Sequence, residues 1–358
     1  MIAWEDVYKV VVAMTPLYVA LGLGYGSVRW WHIFTPEQCG AINRLVSFFT
    51  LPLFTFEFTA HIDPFDMNYR FIAADAISKV IIVLVLGAWA KCSSSKGSYC
   101  WSITNFSLST LTNTLVVGVP LLKAMYGPLG QDLVVQASVI QGIIWLTVLL
   151  FVLEVRRTRS DVSIRAITGD SDQVADNSNK DVEGNQTVII PSRPSFWSVM
   201  KIVWLKLALN PNSYASIVGV TWAFISNRWH FAMPSILEGS VLVMSKAGTG
   251  MAMFSMGLFM AMQEKLIACG ISLTVFGMVL RFIAGPAAMA IGSIAMGLHG
   301  DVLRIAIIQA ALPQSITSFI YAREYGLHAE VLSTAVIFGM LVSLPVLIAY
   351  YLVLGLLS

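Results

Sequence analysis

Charge is what this chain has least of. Asp, Glu, Lys and Arg make up 12% of its 358 residues, against 57% that are hydrophobic; a soluble domain carries about 25% charged residues. The mean hydropathy of +0.75 agrees. Such a composition reads as a polytopic membrane protein. The net charge of +2 points to no polyanion, and no basic stretch interleaved with aromatics lies outside the loops, which argues against a nucleic-acid partner. Cysteine is sparse too. Cys39, Cys92, Cys100 and Cys269 form no CxxC pair and no histidine cluster accompanies them, so neither a metal site nor redox chemistry is expected. His32, His61, His230, His299 and His328 fall in loops or at helix ends, without a Cys or Ser at motif spacing. Gly22-Leu23-Gly24-Tyr25-Gly26 is a small-residue helix stripe; no strand precedes it to make a dinucleotide loop. No cofactor and no enzyme activity are expected. The N-terminus lacks a basic region before its first apolar run, so a cleaved signal peptide is not expected either.

What is present is apolar sequence in helix-length runs. A spanning helix needs about 20 mostly apolar residues, and ten candidates emerge: 7–28, 38–60, 69–91, 99–125, 132–154, 202–226, 235–262, 267–294, 301–322 and 330–356. Polar residues weaken the second, fourth and ninth. The one long polar stretch, from Arg156 to about Ser198, is rich in Asp, Asn and Ser and has no apolar period, as a flexible linker would. It divides the chain into a first five-helix repeat over 1–155, a loop over 156–200 and a second repeat over 201–358.

The halves echo each other. Pro16 and Tyr18 correspond to Pro211 and Tyr214, Trp31-His32 to Trp229-His230, Phe54 to Phe254, Lys79 to Arg281, and Asn113 to Gln314. An odd number of helices per repeat inverts the second copy. The expected fold is therefore all-α, with ten transmembrane helices in two inverted five-helix repeats. Lys and Arg cluster in the loops after odd-numbered helices, which places those loops in the cytosol and both termini outside or in a lumen. On that topology the sequon Asn185-Gln186-Thr187 is cytosolic and unused.

Each half contains an interrupted hydrophobic segment, Leu111-Thr112-Asn113-Thr114 and Leu312-Pro313-Gln314-Ser315. Paired breaks near the midplane are the sequence signature of a transporter site. They predict that helices 4 and 9 are broken and cross. The second half of each broken helix aims backbone N–H groups and a positive dipole end at the crossing, which suits an anion. Pro313 breaks its helix by itself. In the first break Thr112, Asn113 and Thr114 compete for backbone bonds, with Gly118 and Pro120 following. Ordinary polar packing plus a proline kink is the competing reading.

Asp75 and Lys79 stand four apart in the third span and share a helix face. An ionisable residue at that depth costs about 2.5–3.5 kcal/mol. The pair reads either as a charge-balanced support or relay at the crossover, or as a structural ion pair nearer the helix end. Arg281 is either equivalent to Lys79 or a snorkelling residue. Gln141 and Trp145 share a face of the fifth helix, Thr55 follows Leu51-Pro52-Leu53-Phe54, and Gln309 lies one turn before Pro313. Neutral hydrogen-bonding groups beside aromatic surface suit a small organic acid with a flat ring, though a lone Gln or Thr can also be interhelical glue.

Several longer stretches are specific: Thr15-Pro16-Leu17-Tyr18-Val19-Ala20, Phe34-Thr35-Pro36-Glu37-Gln38-Cys39, Leu51-Pro52-Leu53-Phe54, Asn210-Pro211-Asn212-Ser213-Tyr214, the run Gly250 to Ala261, Gln309-Ala310-Ala311-Leu312-Pro313-Gln314 and Val336 to Pro345. Through them the chain resembles the PIN-FORMED auxin efflux carriers of plants over almost its whole length. Its short loop resembles the branch acting mainly at the endoplasmic reticulum. The resemblance implies a homodimer in the lipid bilayer, with scaffold helices 1, 2, 6 and 7. Helices 3–5 and 8–10 would form the transport unit, moving the indole-3-acetate anion like an elevator. It implies substrate-binding positions at Thr55, Asn113, Gln141, Ile316, Leu51 and Val116, a crossover of Thr112, Pro313 and Gln314, and a support site of Asp75 and Lys79. Two residues depart from the pattern: Thr112 stands where the family usually has proline, and Leu146 where a second aromatic commonly follows the tryptophan. No carboxylate cluster for sodium is visible, so transport without an obligatory cation is expected, with proton coupling through Asp75 as the open alternative. The alternatives are a channel-like pore, a non-transporting auxin sensor, or a carrier of another small organic anion.

Overall fold

The structure is a computed structural model that describes residues 4–92, 98–171 and 196–356. Among these, all regular structure is helical, and the only strand-like pairing is one isolated bridge. Met1–Ile144 and Pro211–Ser358 form one compact unit and Trp145–Asn210 a second. Both sequence halves thus contribute to the first unit. It contains α1 (Trp4–Arg29), α2 (Pro36–Leu45), α3 (Leu51–Ala60), α4 (Tyr69–Cys92), α5 (Ser98–Thr110) and α6 (Val119–Ile140). The second unit contains α7 (Leu146–Ser171) and α8 (Phe196–Ala208), joined by an ion pair of Glu154 with Lys206 at 3.5 Å. The first unit resumes with α9 (Pro211–Trp229), α10 (Ser235–Ala261), α11 (Ile271–Val279), α12 (Gly285–Ala295), α13 (Gly300–Ala310), α14 (Ile316–Glu324) and α15 (Ala329–Leu356). Helix α7 runs on to Ser171, past the start of the polar stretch read as a linker. The rest of that stretch, 172–195 with its sequon, lies outside the described residues.

Among the described residues, seven helical stretches are long and apolar enough to cross a membrane. One of them, Thr114–Thr158, has 45 residues. At 1.5 Å per residue it would reach about 68 Å, twice a hydrocarbon core of about 30 Å. It is divided at Gly127-Pro128, where Gly127 takes φ +65°, open to glycine and closed to most other residues.

Proline also sets a local rule. Among the described residues there are four widened turns, at Val46–Thr50, Thr114–Gly118, Gln141–Trp145 and Leu280–Ala284; Pro52, Pro120 and Pro286 stand two residues beyond the first, second and fourth. A proline ring clashes with the carbonyl four residues back. Here the residue just before each proline donates instead to the carbonyl five back: Leu51 to Val46, Val119 to Thr114, Gly285 to Leu280. The helix bulges and continues, as such turns do at functional sites.

Helix pairs in the first unit approach through glycine. Helix α1 packs along α10, α3 along α9 and α4 along α12. A Cβ on Gly24 would lie 2.1 Å from the Phe254 carbonyl oxygen, and one on Gly257 2.1 Å from that of Leu21. Gly24, the middle glycine of the small-residue stripe, thus sits in the seam of α1 on α10, with buried Met253, Met256 and Met260 in the main apolar cluster. Overpacking a tight contact costs about 1–3 kcal/mol. Gly24→Ala and Gly257→Ala are expected to lower the thermal midpoint of the detergent-solubilised protein by several degrees. Gly22→Ala, whose Cβ meets nothing within 4 Å, should leave it unchanged; equal effects in all three would refute the seam.

Candidate functional site

The two interrupted segments do meet. After α5 and after α13 the chain leaves the helix, and Thr112 pairs with Gln314 in a single antiparallel bridge. The Asn113 N–H donates to the Pro313 carbonyl at 2.8 Å, and the Ser315 N–H to the Leu111 carbonyl at 3.2 Å. Each break therefore satisfies the other's backbone, which a hydrocarbon interior demands. Beyond the bridge, Thr114–Gly118 and α14 begin without a side-chain cap. Their first-turn N–H groups are those a helix cannot satisfy itself.

Gln141 secures the first break. Its Oε1 accepts from the Thr112 N–H at 3.0 Å and from Thr112 Oγ1 at 3.2 Å, while its Nε2 donates to the Thr112 carbonyl at 2.7 Å. Gln314 is engaged too: its Nε2 donates to the Ser107 carbonyl at 2.9 Å and to Ser318 Oγ at 2.7 Å. The Asn113 side chain is half-buried and has no hydrogen bond to a described residue. The amides of Gln141 and Gln314 are engaged, and that of Asn113 is not. Val116 is buried in the main apolar cluster, and Leu51 and Ile316 pack against that cluster.

Thr55 is placed differently. It is buried and its Oγ1 donates to Asn212 Oδ1 at 2.6 Å, tying α3 to α9. No hydrogen bond joins it to the crossover residues. Asp75 and Lys79 are both buried, with Lys79 Nζ 2.7 and 2.5 Å from the two carboxylate oxygens. Asp75 lies six residues and Lys79 ten residues beyond Tyr69, the first residue of α4. They line a small cavity, about large enough for one water, with Ser109, Thr110, Gln309 and Ala310, the last residues of both first half-helices. Gln309 Oε1 is buried there without a partner.

Snorkelling is excluded for Arg281, which is fully buried. Its Nη1 donates to the Leu108 and Leu111 carbonyls at 3.1 and 2.9 Å and approaches Gln314 Oε1 at 3.4 Å; its Nη2 donates to the Ala310 carbonyl at 2.5 Å. One guanidinium thus caps the C-terminal ends of both first half-helices, where the dipoles are negative. The sequence signal was an arginine inside an apolar span just ahead of Gly285-Pro286. Among the described residues no group of three or more acidic, His or Cys side chains could hold a metal.

A helical membrane chain whose two broken helices meet through extended backbone, with uncapped second halves, has the construction of a secondary transporter. The family profile described as membrane transport protein matches residues 9–351. The chain is 72% identical to auxin efflux carrier component 5 of Arabidopsis thaliana, the alignment covering 98% of each. It is 64% identical to the probable auxin efflux carrier component 5a of Oryza sativa subsp. japonica, over 99% of each. Component 4 of Arabidopsis thaliana is 31% identical over an alignment of 617 positions, so that relative carries long insertions absent here. The chain belongs to the PIN-FORMED auxin efflux carrier family, in its short-loop branch, a family of membrane transporters.

The Thr112–Gln141 arrangement yields a test. Gln141→Met leaves the Thr112 N–H and carbonyl without their partner, at about 1–3 kcal/mol for each buried group. Thr112→Pro removes that N–H beforehand, so Gln141→Met should cost less in the proline background. A double-mutant cycle on thermal stability is expected to show a coupling of about 1 kcal/mol; full additivity would mean Gln141 does not act through Thr112.

Proposed function

We propose that this chain carries the indole-3-acetate anion across an intracellular membrane by alternating access. The observation that carries the reading is the crossover: two uncapped half-helices, the unengaged Asn113 carboxamide at the start of the first, and Val116, Ile316 and Leu51 in or against the main apolar cluster. A carboxylate would take the N–H groups and the amide, and a flat ring the apolar surface. That relatives identical at 72% and 64% are named auxin efflux carriers supports the substrate. The binding set is Asn113, Val116, Leu51 and Ile316. Gln141 acts by holding the Thr112 backbone, and Thr55 by holding Asn212 at the edge of the scaffold. Asp75 and Lys79 form the support beneath the crossover.

The ten-helix inverted repeat is the frame we assign. The first helix of each half packs on the second helix of the other, α1 on α10 and α9 on α3, as copies related by a two-fold axis would. The antiparallel sense of the bridge fits the same axis. In this frame α4 to α6 with α11 to α15 carry the substrate as an elevator against α1 to α3, α9 and α10. Transport is driven by voltage and the substrate gradient without an obligatory cation. By family resemblance the carrier is a homodimer of the endoplasmic reticulum membrane, with the long loop cytosolic and the termini lumenal. The second reading, a non-transporting auxin sensor, draws on Thr112 in place of the usual proline.

Uptake of radiolabelled indole-3-acetate into proteoliposomes decides between them. Saturable, voltage-dependent flux, unchanged by a pH gradient, is expected from the wild type. A hydrogen bond to a charged group contributes about 1.5–3 kcal/mol, so Asn113→Ala should weaken apparent affinity about ten-fold or more. Binding without flux in well-folded protein would favour the sensor.

A further inference from the structure

Three of the buried side chains in the first unit carry formal charge: Asp75, Lys79 and Arg281. Asp75 and Lys79 neutralise each other through a two-oxygen contact. Arg281 has no carboxylate within salt-bridge distance among the described residues; its recorded partners are three backbone carbonyls and the neutral Gln314 amide. Helix ends stabilise a cation through partial charges without cancelling it, and a guanidinium stays protonated in proteins. The crossover therefore holds one uncompensated positive charge. Because Arg281 is bonded to the ends of α5 and α13 together, that charge must move wherever the crossover moves.

We infer that Arg281 makes the empty carrier, not the loaded one, the charged moving species. This rests on the transport reading above. A monovalent carboxylate bound at the crossover brings the mobile charge to about zero. Reorientation with cargo is then nearly blind to voltage, and the empty return step carries the field dependence. Arg281 acts as a positioning residue for the anion through its field and touches no substrate. A unit charge crossing the whole field changes the inward–outward distribution about fifty-fold per 100 mV.

The test uses the purified wild-type protein in planar bilayers and proteoliposomes, with indole-3-acetate as probe. Voltage steps without substrate should give a transient charge displacement of up to about one elementary charge per protomer. Saturating indole-3-acetate on both faces should suppress it, and radiolabelled exchange should change less than about two-fold over 100 mV. Displacement seen only with substrate present, or exchange that steepens with voltage, would overturn the inference and leave the transport reading standing. Absence of any exchange would overturn both. Arg281→Gln reverses the pattern, a silent empty carrier and a voltage-sensitive loaded one, with bound indole-3-acetate confirmed by thermal shift. Should that variant not fold, the two wild-type measurements decide alone.

Discussion

A broken helix in a membrane has backbone groups that no water will satisfy, and the rest of this structure depends on how they are paired. In hydrocarbon each unpaired N–H or carbonyl costs several kcal/mol. Here two breaks meet and pair with each other through Asn113 to Pro313 and Ser315 to Leu111. Neither interruption is tolerable without the other. Gln141 then takes the N–H and carbonyl of Thr112, and Arg281 the Leu108 and Ala310 carbonyls at the ends of the first half-helices. The polar residues that make these spans look weak by hydropathy are the ones that make the breaks stable.

The pairing is asymmetric along the helix axes, and the asymmetry sets the electrostatics. At the first half-helices, the C-terminal carbonyls of α5 and α13 are capped by a single cation. At the second half-helices, the N-terminal donors remain uncapped. Both arrangements raise the potential at the crossing point in the same direction. The Asp75–Lys79 pair beneath adds polarity without net charge, so it leaves that potential nearly as Arg281 sets it.

Much of this was legible in the sequence, for identifiable reasons. Interruptions such as Leu-Pro-Gln-Ser inside apolar runs have few physical explanations, so the breaks and their meeting could be read directly. The i, i+4 spacing of Asp75 and Lys79 gave their contact. Roles decided by orientation could not be read. The same composition allowed Gln141 and Thr55 to face a ligand or a neighbouring helix, and the structure turns both toward protein partners, Thr112 and Asn212. Arg281 was ambiguous because a long side chain can reach the interface or the interior from the same Cα; only the position of α11 and α12 against the crossover settles it. The widened turns were hidden as well, although the proline two residues beyond each of three of them is a pattern a sequence can show.

Thr112 shows how a departure from a family pattern can be absorbed. Proline breaks a helix covalently, by removing a donor and filling the space of a carbonyl. Threonine keeps its donor, so something else must draw it out of the helix. Gln141 does so by engaging the N–H, the hydroxyl and the carbonyl of Thr112 at once, while the bridge to Gln314 fixes the extended backbone. The break is then specified by tertiary contacts and no longer by the residue itself. Such a break depends on Gln141, the residue that follows α6. A proline at the same place would be broken in every conformation. The substitution therefore couples the shape of the first crossover arm to the position of Gln141, a coupling that a proline in this position would weaken.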